Sequence, residues 1–274
     1  MDPLQNKAEK AEERGDLELA LQLWKQLAER SSDPALYARY GVIAQDLGKW
    51  DEAETAFAES IRLNPDFTMA MEGIGSLWAT RTDKSDKESF ETARDWFLRA
   101  LRLERKPRTL TLLSGAYVSL DDVPAARNAL KEALRIDPKY EEALYNLAVL
   151  EKDNDPQMSG ELLKKAIEID PSYSLAHQEL GKLYHRMGNL AKAEYHFRRS
   201  IEAEPSSYFS HLLLANVLAV QGEDVEAEQT YRVAMSLHPE IRSGIEFFAR
   251  FLESIGKTGE AAAVRAKNST QSQS

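Results

Sequence analysis

At 274 residues, 43% hydrophobic and 29% charged, the chain has enough apolar material for a continuous core and too much for a disordered polymer. A formal net charge of −10, from 35 basic and 45 acidic residues, opposes general attraction to phosphate backbones, so no nucleic-acid partner is expected. There is no cysteine, which excludes disulfides, thiolate catalysis and cysteine-ligated zinc, and no run of 18 apolar residues, so no membrane span is expected.

Apolar residues recur at helical spacing from end to end, in pairs of segments. The first pair, residues 1–33, begins weakly because Lys7 stands where later copies carry Leu or Ile. It strengthens through Leu17, Ala20, Leu21, Trp24 and Leu27. The second, 34–66, carries Tyr37, Tyr40, Gly41 and Ala44, then Ala53, Phe57 and Ser60, and stops at Asn64-Pro65. Proline lacks the amide hydrogen and disfavours helix for the residue before it, so each such X-Pro marks a helix end. The third, 67–106, contains a polar run over 81–89 that makes its turn about six residues longer than the others, a cheap surface insertion by loop entropy. The fourth, 107–140, places Val123-Pro124 at the start of its second helix, a position proline accepts.

The fifth pair, 141–173, departs most: Glu151 replaces an aromatic residue and Asp153-Asn154-Asp155-Pro156 replaces a glycine turn. Pairs six and seven, 174–207 and 208–241, are the most regular. The eighth, 242–267, has a first helix with Phe247, Phe248 and Phe251 and is expected to end in a short second helix, followed by a disordered tail over 268–274.

Gly188, Gly222 and Gly256 lie 34 residues apart, as do Ala193, Ala227 and Ala261, and Phe197 is matched by Tyr231 and Pro205 by Pro239. A period of this size means stacked repeats. The segment His177-x2-Leu180-Gly181-x2-Tyr184, Ala193-x3-Phe197, Pro205 follows the tetratricopeptide pattern, with His177 in place of tryptophan. The chain therefore resembles the tetratricopeptide repeat family. The resemblance implies an all-α, right-handed superhelical solenoid of antiparallel helix pairs, forming one domain over residues 1–267. Small residues such as Gly181, Ala193 and Ser200 are expected to leave room for large neighbours, such as Tyr184 against Phe197.

The resemblance also implies that the first helices line a concave groove that takes up a protein or peptide partner. Carried over by repeat position, the groove shows Arg39, Val42 and Gln45, then Glu72 and Ser76, then Arg108 and Thr111, in the N-terminal half. Its richer part comprises Tyr145, Asn146, Gln178, Lys182, His185, Arg186, Asn216 and Arg250, accompanied by Val149, Phe209, Leu212, Glu246 and Phe247. Amide side chains there would bond the backbone of an extended segment, and basic groups its acidic side chains. A carboxylate clamp is not expected: Asn146 fits its middle position, but Thr111, Gly115, Leu175 and Glu179 stand where the other members belong.

Enzymatic signatures are missing. There is no Walker loop, G-x-S-x-G or H-E-x-x-H, and Gly73-x-Gly75 lies inside an amphipathic helix with no strand before it. Among His177, His185, His196, His211 and His238 no two stand at i, i+3 or i+4, so no metal site is expected, and no cofactor either.

The leading expectation is a non-catalytic adaptor. The alternatives are a module that self-associates through Phe247, Phe248 and Phe251, and a secretion- or pilus-type assembly component whose signal sequence has been removed. The opening Met1-Asp2-Pro3, without an apolar leader, reads as cytoplasmic, or periplasmic in the last case.

Overall fold

The computed structural model describes residues 2–81 and 86–271, with side chains as far as Ala266. Sixteen helices and no strand occur among the described residues, arranged as a solenoid of antiparallel pairs. The first helices are α1 (Pro3–Glu13), α3 (Pro34–Asp46), α5 (Thr68–Thr80), α7 (Pro107–Ser119), α9 (Glu141–Glu151), α11 (Ser174–Arg186), α13 (Tyr208–Gln221) and α15 (Arg242–Ser254). Their partners are α2 (Leu17–Ser31), α4 (Trp50–Leu63), α6 (Lys87–Leu103), α8 (Val123–Ile136), α10 (Pro156–Ile169), α12 (Leu190–Ala203), α14 (Asp224–Leu237) and α16 (Thr258–Gln271). The helices form two compact units, residues 1–143 and 144–274, divided within α9. No helix among the described residues is long and apolar enough to cross a membrane.

Local chemistry places the helix ends. Asp16, Asp33, Asp86, Asp122, Asp155 and Asn189 each accept a backbone N–H of the first turn that follows, satisfying a donor the helix leaves open. Gly15, Gly48, Gly188, Gly222 and Gly256 turn the chain between paired helices at φ of 69 to 83°. In the fourth pair Asp121 does the same at φ 61°, so a glycine is not obligatory there. The irregular fifth turn is closed as well. Asp155 Oδ1 accepts from Met158 N at 2.9 Å, and Ser159 Oγ donates to Ala148 O at 2.8 Å, tying α10 to α9.

In the N-terminal unit the apolar stripes bury Ala20, Leu21, Trp24 and Leu27 of α2 with Tyr40, Ile43, Phe57, Ile74 and Leu77. Burial of each large side chain contributes about 1.5–3 kcal/mol. Close approach depends on small residues: Phe57 lies between Gly41 of α3 and Gly73 of α5, whose Cβ atoms, if present, would stand 2.7 and 2.3 Å from its ring. Lys7 faces solvent, and α1 packs instead through Ala8 and Ala11. The insertion leaves α5 at Arg81, whose buried guanidinium pairs with Glu54 at 3.1 Å and covers the Trp78 ring at 5.2 Å. The chain re-enters α6 where Asp86 caps Ser89 N at 2.9 Å. Residues 82–85 of that insertion lie outside the described residues.

The C-terminal unit repeats the device at Gly181, where a Cβ would stand 2.6 Å from the Phe197 ring. The ring therefore packs on the α11 backbone, and Tyr184 stacks on His196 instead, centroids 5.5 Å apart.

The terminal pair corrects two expectations. Helix α16 is 14 residues long, as long as α14, and runs to Gln271, past the expected end of order at 267. Ala261 and Val264 anchor it against α15, and once a turn is pinned the following residues extend the helix at little further cost. Part of the aromatic trio of α15 is buried as well: Phe248 and Phe251 pack on Tyr231 of α14 with centroids 5.2 Å away in both cases, and Phe247 is exposed.

Gly244, at the start of α15, has no space for a side chain, since a Cβ there would stand 1.8 Å from the buried hydroxyl of Tyr208. Gly244→Ala is expected to lower stability by about 1–3 kcal/mol despite alanine's better helix propensity. Adding Tyr208→Phe should restore much of the loss, because it removes the obstructing oxygen. Urea denaturation followed by circular dichroism checks both variants.

Candidate functional site

The C-terminal unit holds an open cavity of about 590 Å³ on the side formed by its first helices. Leu213, Asn216, Ala219 and Val220 of α13 form one wall and Phe247, Arg250, Phe251 and Ser254 of α15 the other, with His185 of α11 at the edge and Phe197 and Tyr231 in the floor. The two walls are copies of one another, since Leu213 and Phe247, Asn216 and Arg250, and Val220 and Ser254 are each separated by the 34-residue period. Parallel helices related by one repeat leave a trough between them, and bulky residues on both walls make this one apolar.

The floor orients one polar group. Burial pushes the Tyr231 hydroxyl up to about 12, so it keeps its proton and donates to Asn216 Oδ1. The Asn216 carboxamide is thereby held with its Nδ2 protons left to donate elsewhere.

Four of the groove residues expected from sequence, His185, Asn216, Phe247 and Arg250, meet in this cavity. Lys182 and Arg186 lie on α11, Lys182 paired with Glu179 at 2.7 Å and Arg186 with Asp153 at 2.7 Å. Tyr145 and Asn146 are half-buried on α9. Tyr145 packs 5.4 Å from Tyr173, and burial raises its hydroxyl above the ordinary value.

Two expected residues face inward. Gln178 is 8% exposed and its Oε1 accepts from Ser210 Oγ at 3.2 Å, inside a buried hydroxyl network with Ser200 that ties α11 to α13. Leu212 is a core residue. The groove position is its neighbour Leu213, which sequence reasoning passed over along with Val220. Stepping 34 residues back from Phe247 and forward from Arg186 finds both.

In the N-terminal unit three of the expected groove residues are engaged with other side chains of the unit. Arg39 pairs with Glu12, Gln45 Nε2 donates to Thr80 Oγ1 at 3.1 Å, and Glu72 is buried and accepts from Thr109. A larger cleft of about 780 Å³ lies in that unit, but charged residues of α4 line it, with Arg62 paired to Glu59 at 2.6 Å.

The histidines, unpaired in sequence, are paired in space. His177 Nδ1 lies 3.0 Å from His196 Nδ1, and His177 Nε2 lies 3.2 Å from Pro171 O. A carbonyl only accepts, so His177 carries its proton on Nε2 and its Nδ1 accepts from a protonated His196 Nδ1. Burial lowers both groups, His196 to about 4. No group of three or more His, Cys, Asp or Glu side chains placed to hold a metal occurs among the described residues.

Tetratricopeptide repeat profiles match residues 41–107 and 179–240, 162–195, and 116–154. The chain belongs to the tetratricopeptide repeat family. No curated protein matches it significantly in sequence.

Among solved structures, it is similar to a chain of the APC/C hetero-tetramer Cut9-Hcn1, with 15% identity and a TM-score of 0.71 over 85% of this chain and 48% of that one. It therefore spans about half the length of that relative. It is also similar to pilF of Pseudomonas aeruginosa, with 17% identity and a TM-score of 0.68, covering 81% of this chain and 99% of that one. A tetratricopeptide repeat protein from Parabacteroides merdae matches with 19% identity and a TM-score of 0.64, over 91% of this chain and 97% of that one. At these identities the likeness concerns the fold.

Proposed function

We propose that this protein is a non-catalytic interaction scaffold whose C-terminal unit receives a segment of a protein partner in the trough between α13 and α15. Membership of a family whose repeats generally mediate protein–protein interaction supports the general role. One observation carries the specific reading: an open apolar trough of about 590 Å³ whose floor holds the Asn216 amide in a fixed orientation. Apolar walls supply contact area, while a pre-oriented amide can bond a main-chain carbonyl without paying for its own ordering. Of the three aromatic residues behind the self-associating alternative, Phe248 and Phe251 are buried within the unit and Phe247 is exposed, which favours the partner reading.

The double variant Val220→Glu, Phe247→Glu places two charges on exposed positions and is expected to leave the circular dichroism spectrum and melting temperature unchanged. Affinity capture followed by mass spectrometry should recover specific partners with the wild-type chain and lose them with this variant. Equal recovery by both would refute the trough as the binding site.

A further inference from the structure

The trough is apolar in the middle and cationic at its borders. Helix α13 carries no Asp, Glu, Lys or Arg over its 14 residues, and exposes Phe209 (57%) and Val220 (66%). Phe247, 47% exposed, adds to this strip from α15. One repeat before Asn216 and Val220 stand Lys182 and Arg186 on α11, and one repeat after Asn216 stands Arg250 on α15. Cations thus flank the apolar strip on both sides.

All three cations have internal carboxylate partners; the Arg186–Asp153 and Arg250–Glu246 pairs are solvent-exposed and of the kind that contributes little, whereas Lys182 is held in a part-buried pair by Glu179, which is 15% exposed. Arg250 is the most easily redirected. Its side chain is 70% exposed and pairs with Glu246 at 2.9 Å, while the same carboxylate is held separately by Arg265 through Nε at 2.9 Å and Nη2 at 3.1 Å. If Arg250 turns to a ligand, Glu246 keeps a cation and no carboxylate is left unpaired.

We propose that the partner segment is recognised by an apolar–acidic pair: a bulky aliphatic or aromatic side chain seated between Val220 and Phe247, and within a few residues of it a carboxylate that bonds Arg250. This rests on the reading of the trough as a partner site and names the chemistry of what it takes. An acidic segment meets general repulsion from a chain of net charge −10, so its recognition is confined to this local cationic border. The carboxylate contact sets orientation and specificity, and the apolar contact supplies most of the affinity. Arg250 offers a planar fork that a carboxylate can meet in bidentate fashion, which a lysine would not reproduce in full.

The test uses the full chain, panned against a phage-displayed library of random 16-residue peptides, with enriched sequences synthesised and their binding measured by fluorescence polarisation. The expected result is a consensus joining Leu, Ile, Met or Phe to Asp or Glu within about four residues. Binding should weaken at least tenfold with Phe247→Ala and with Arg250→Glu, and less with Arg250→Lys. It should be recovered by Arg250→Glu when the peptide carboxylate is replaced by lysine. Each variant's circular dichroism spectrum and melting temperature are compared with wild type, so that a folding defect is not read as lost contact.

Enriched peptides with no acidic preference, or binding indifferent to Phe247→Ala and Arg250→Glu yet abolished by Asn216→Ala, would overturn this pairing and leave the trough standing as a site. Failure of the wild-type chain to enrich any peptide would overturn both.

Discussion

Replacing Phe57 with alanine is expected to destabilise the N-terminal unit by about 3–5 kcal/mol, the range for deleting a fully enclosed phenylalanine. Its ring has no exposed surface and is held between the backbones of α3 and α5, so neither helix can collapse onto the cavity without moving relative to α4. Gly73→Ala tests the same contact from the other side. Alanine gains about 1 kcal/mol of helix propensity over glycine, but its Cβ would stand 2.3 Å from Phe57 Cε1. The ring has little room to retreat, because Gly41 also packs against it so closely that a Cβ there would stand 2.7 Å from the same ring atom. Overpacking should win, with a net loss of about 1–3 kcal/mol. Combining Gly73→Ala with Phe57→Leu should cost less than the sum of the two, as coupled neighbours do. Urea titrations followed by circular dichroism decide it. A Gly73→Ala chain more stable than wild type would refute the packing account.

Acidification from pH 7 to 4 is expected to destabilise the α11–α12 pair, and the histidines are the reason. His196 is lowered to about 4, first by burial and then by the charges of His177, Lys164 on α10 and Lys192 on its own helix. His177 is lowered chiefly by burial and also by Arg199. Its bond to Pro171 O, with Asp170 and Glu202, works in the opposite direction without prevailing.

A histidine whose folded pKa lies below its unfolded value of about 6.5 contributes stability that is fully present above that value. The contribution falls as pH drops, because the unfolded chain takes up the proton first. For His196 alone, a fall to about 4 corresponds to a loss on the order of 3 kcal/mol across this window. The lowered carboxylates, such as Glu194, whose burial is outweighed by its bonds to Gln221 and Arg198, and Glu246, bonded by Arg265 and Arg250, lose their contribution only below their unfolded values near 4.5, so the histidine phase comes first.

His196→Phe keeps a ring to stack on Tyr184 and removes the titration. Its melting temperature should fall less steeply from pH 7 to 5 than that of wild type, the remaining slope coming from His177, which burial also lowers. An equal slope for both would refute the assignment.

Much of this molecule is visible along the chain. The recurrence of Gly188, Gly222 and Gly256, the aspartates before second helices and the prolines after them are local devices. Their effect on the backbone requires only residues a few positions away, so the helices and their turns follow from sequence order. Gly181 was legible only as a small residue leaving room for a large neighbour; that this neighbour is the Phe197 ring, and that Gly41 and Gly73 enclose Phe57, follows from the packing of separate helices.

The site was half legible. The 34-residue period led to Asn216 and Arg250, and the same face of α11 to His185, and these three line one cavity. Gln178 and Leu212 were misplaced because a helix face is decided by its rotation against neighbours. One position, about 100° on a helix, separates the buried Leu212 from the trough-lining Leu213. The terminal helix was underestimated because its residues from Lys267 onward are polar, whereas its order is set by the anchoring of Ala261 and Val264 on α15.

Sequence alone determined the family, the helix pairs and the absence of any enzymatic signature, since repetition and capping are written in neighbouring residues. Tertiary structure alone decided that His177 and His196, 19 positions apart, are hydrogen-bonded, that Tyr231 orients Asn216, and that Arg265 and Arg250 hold the same Glu246 carboxylate. Each of these depends on side chains from separate helices arriving within hydrogen-bonding distance, a matter of ångströms that no spacing along one helix encodes.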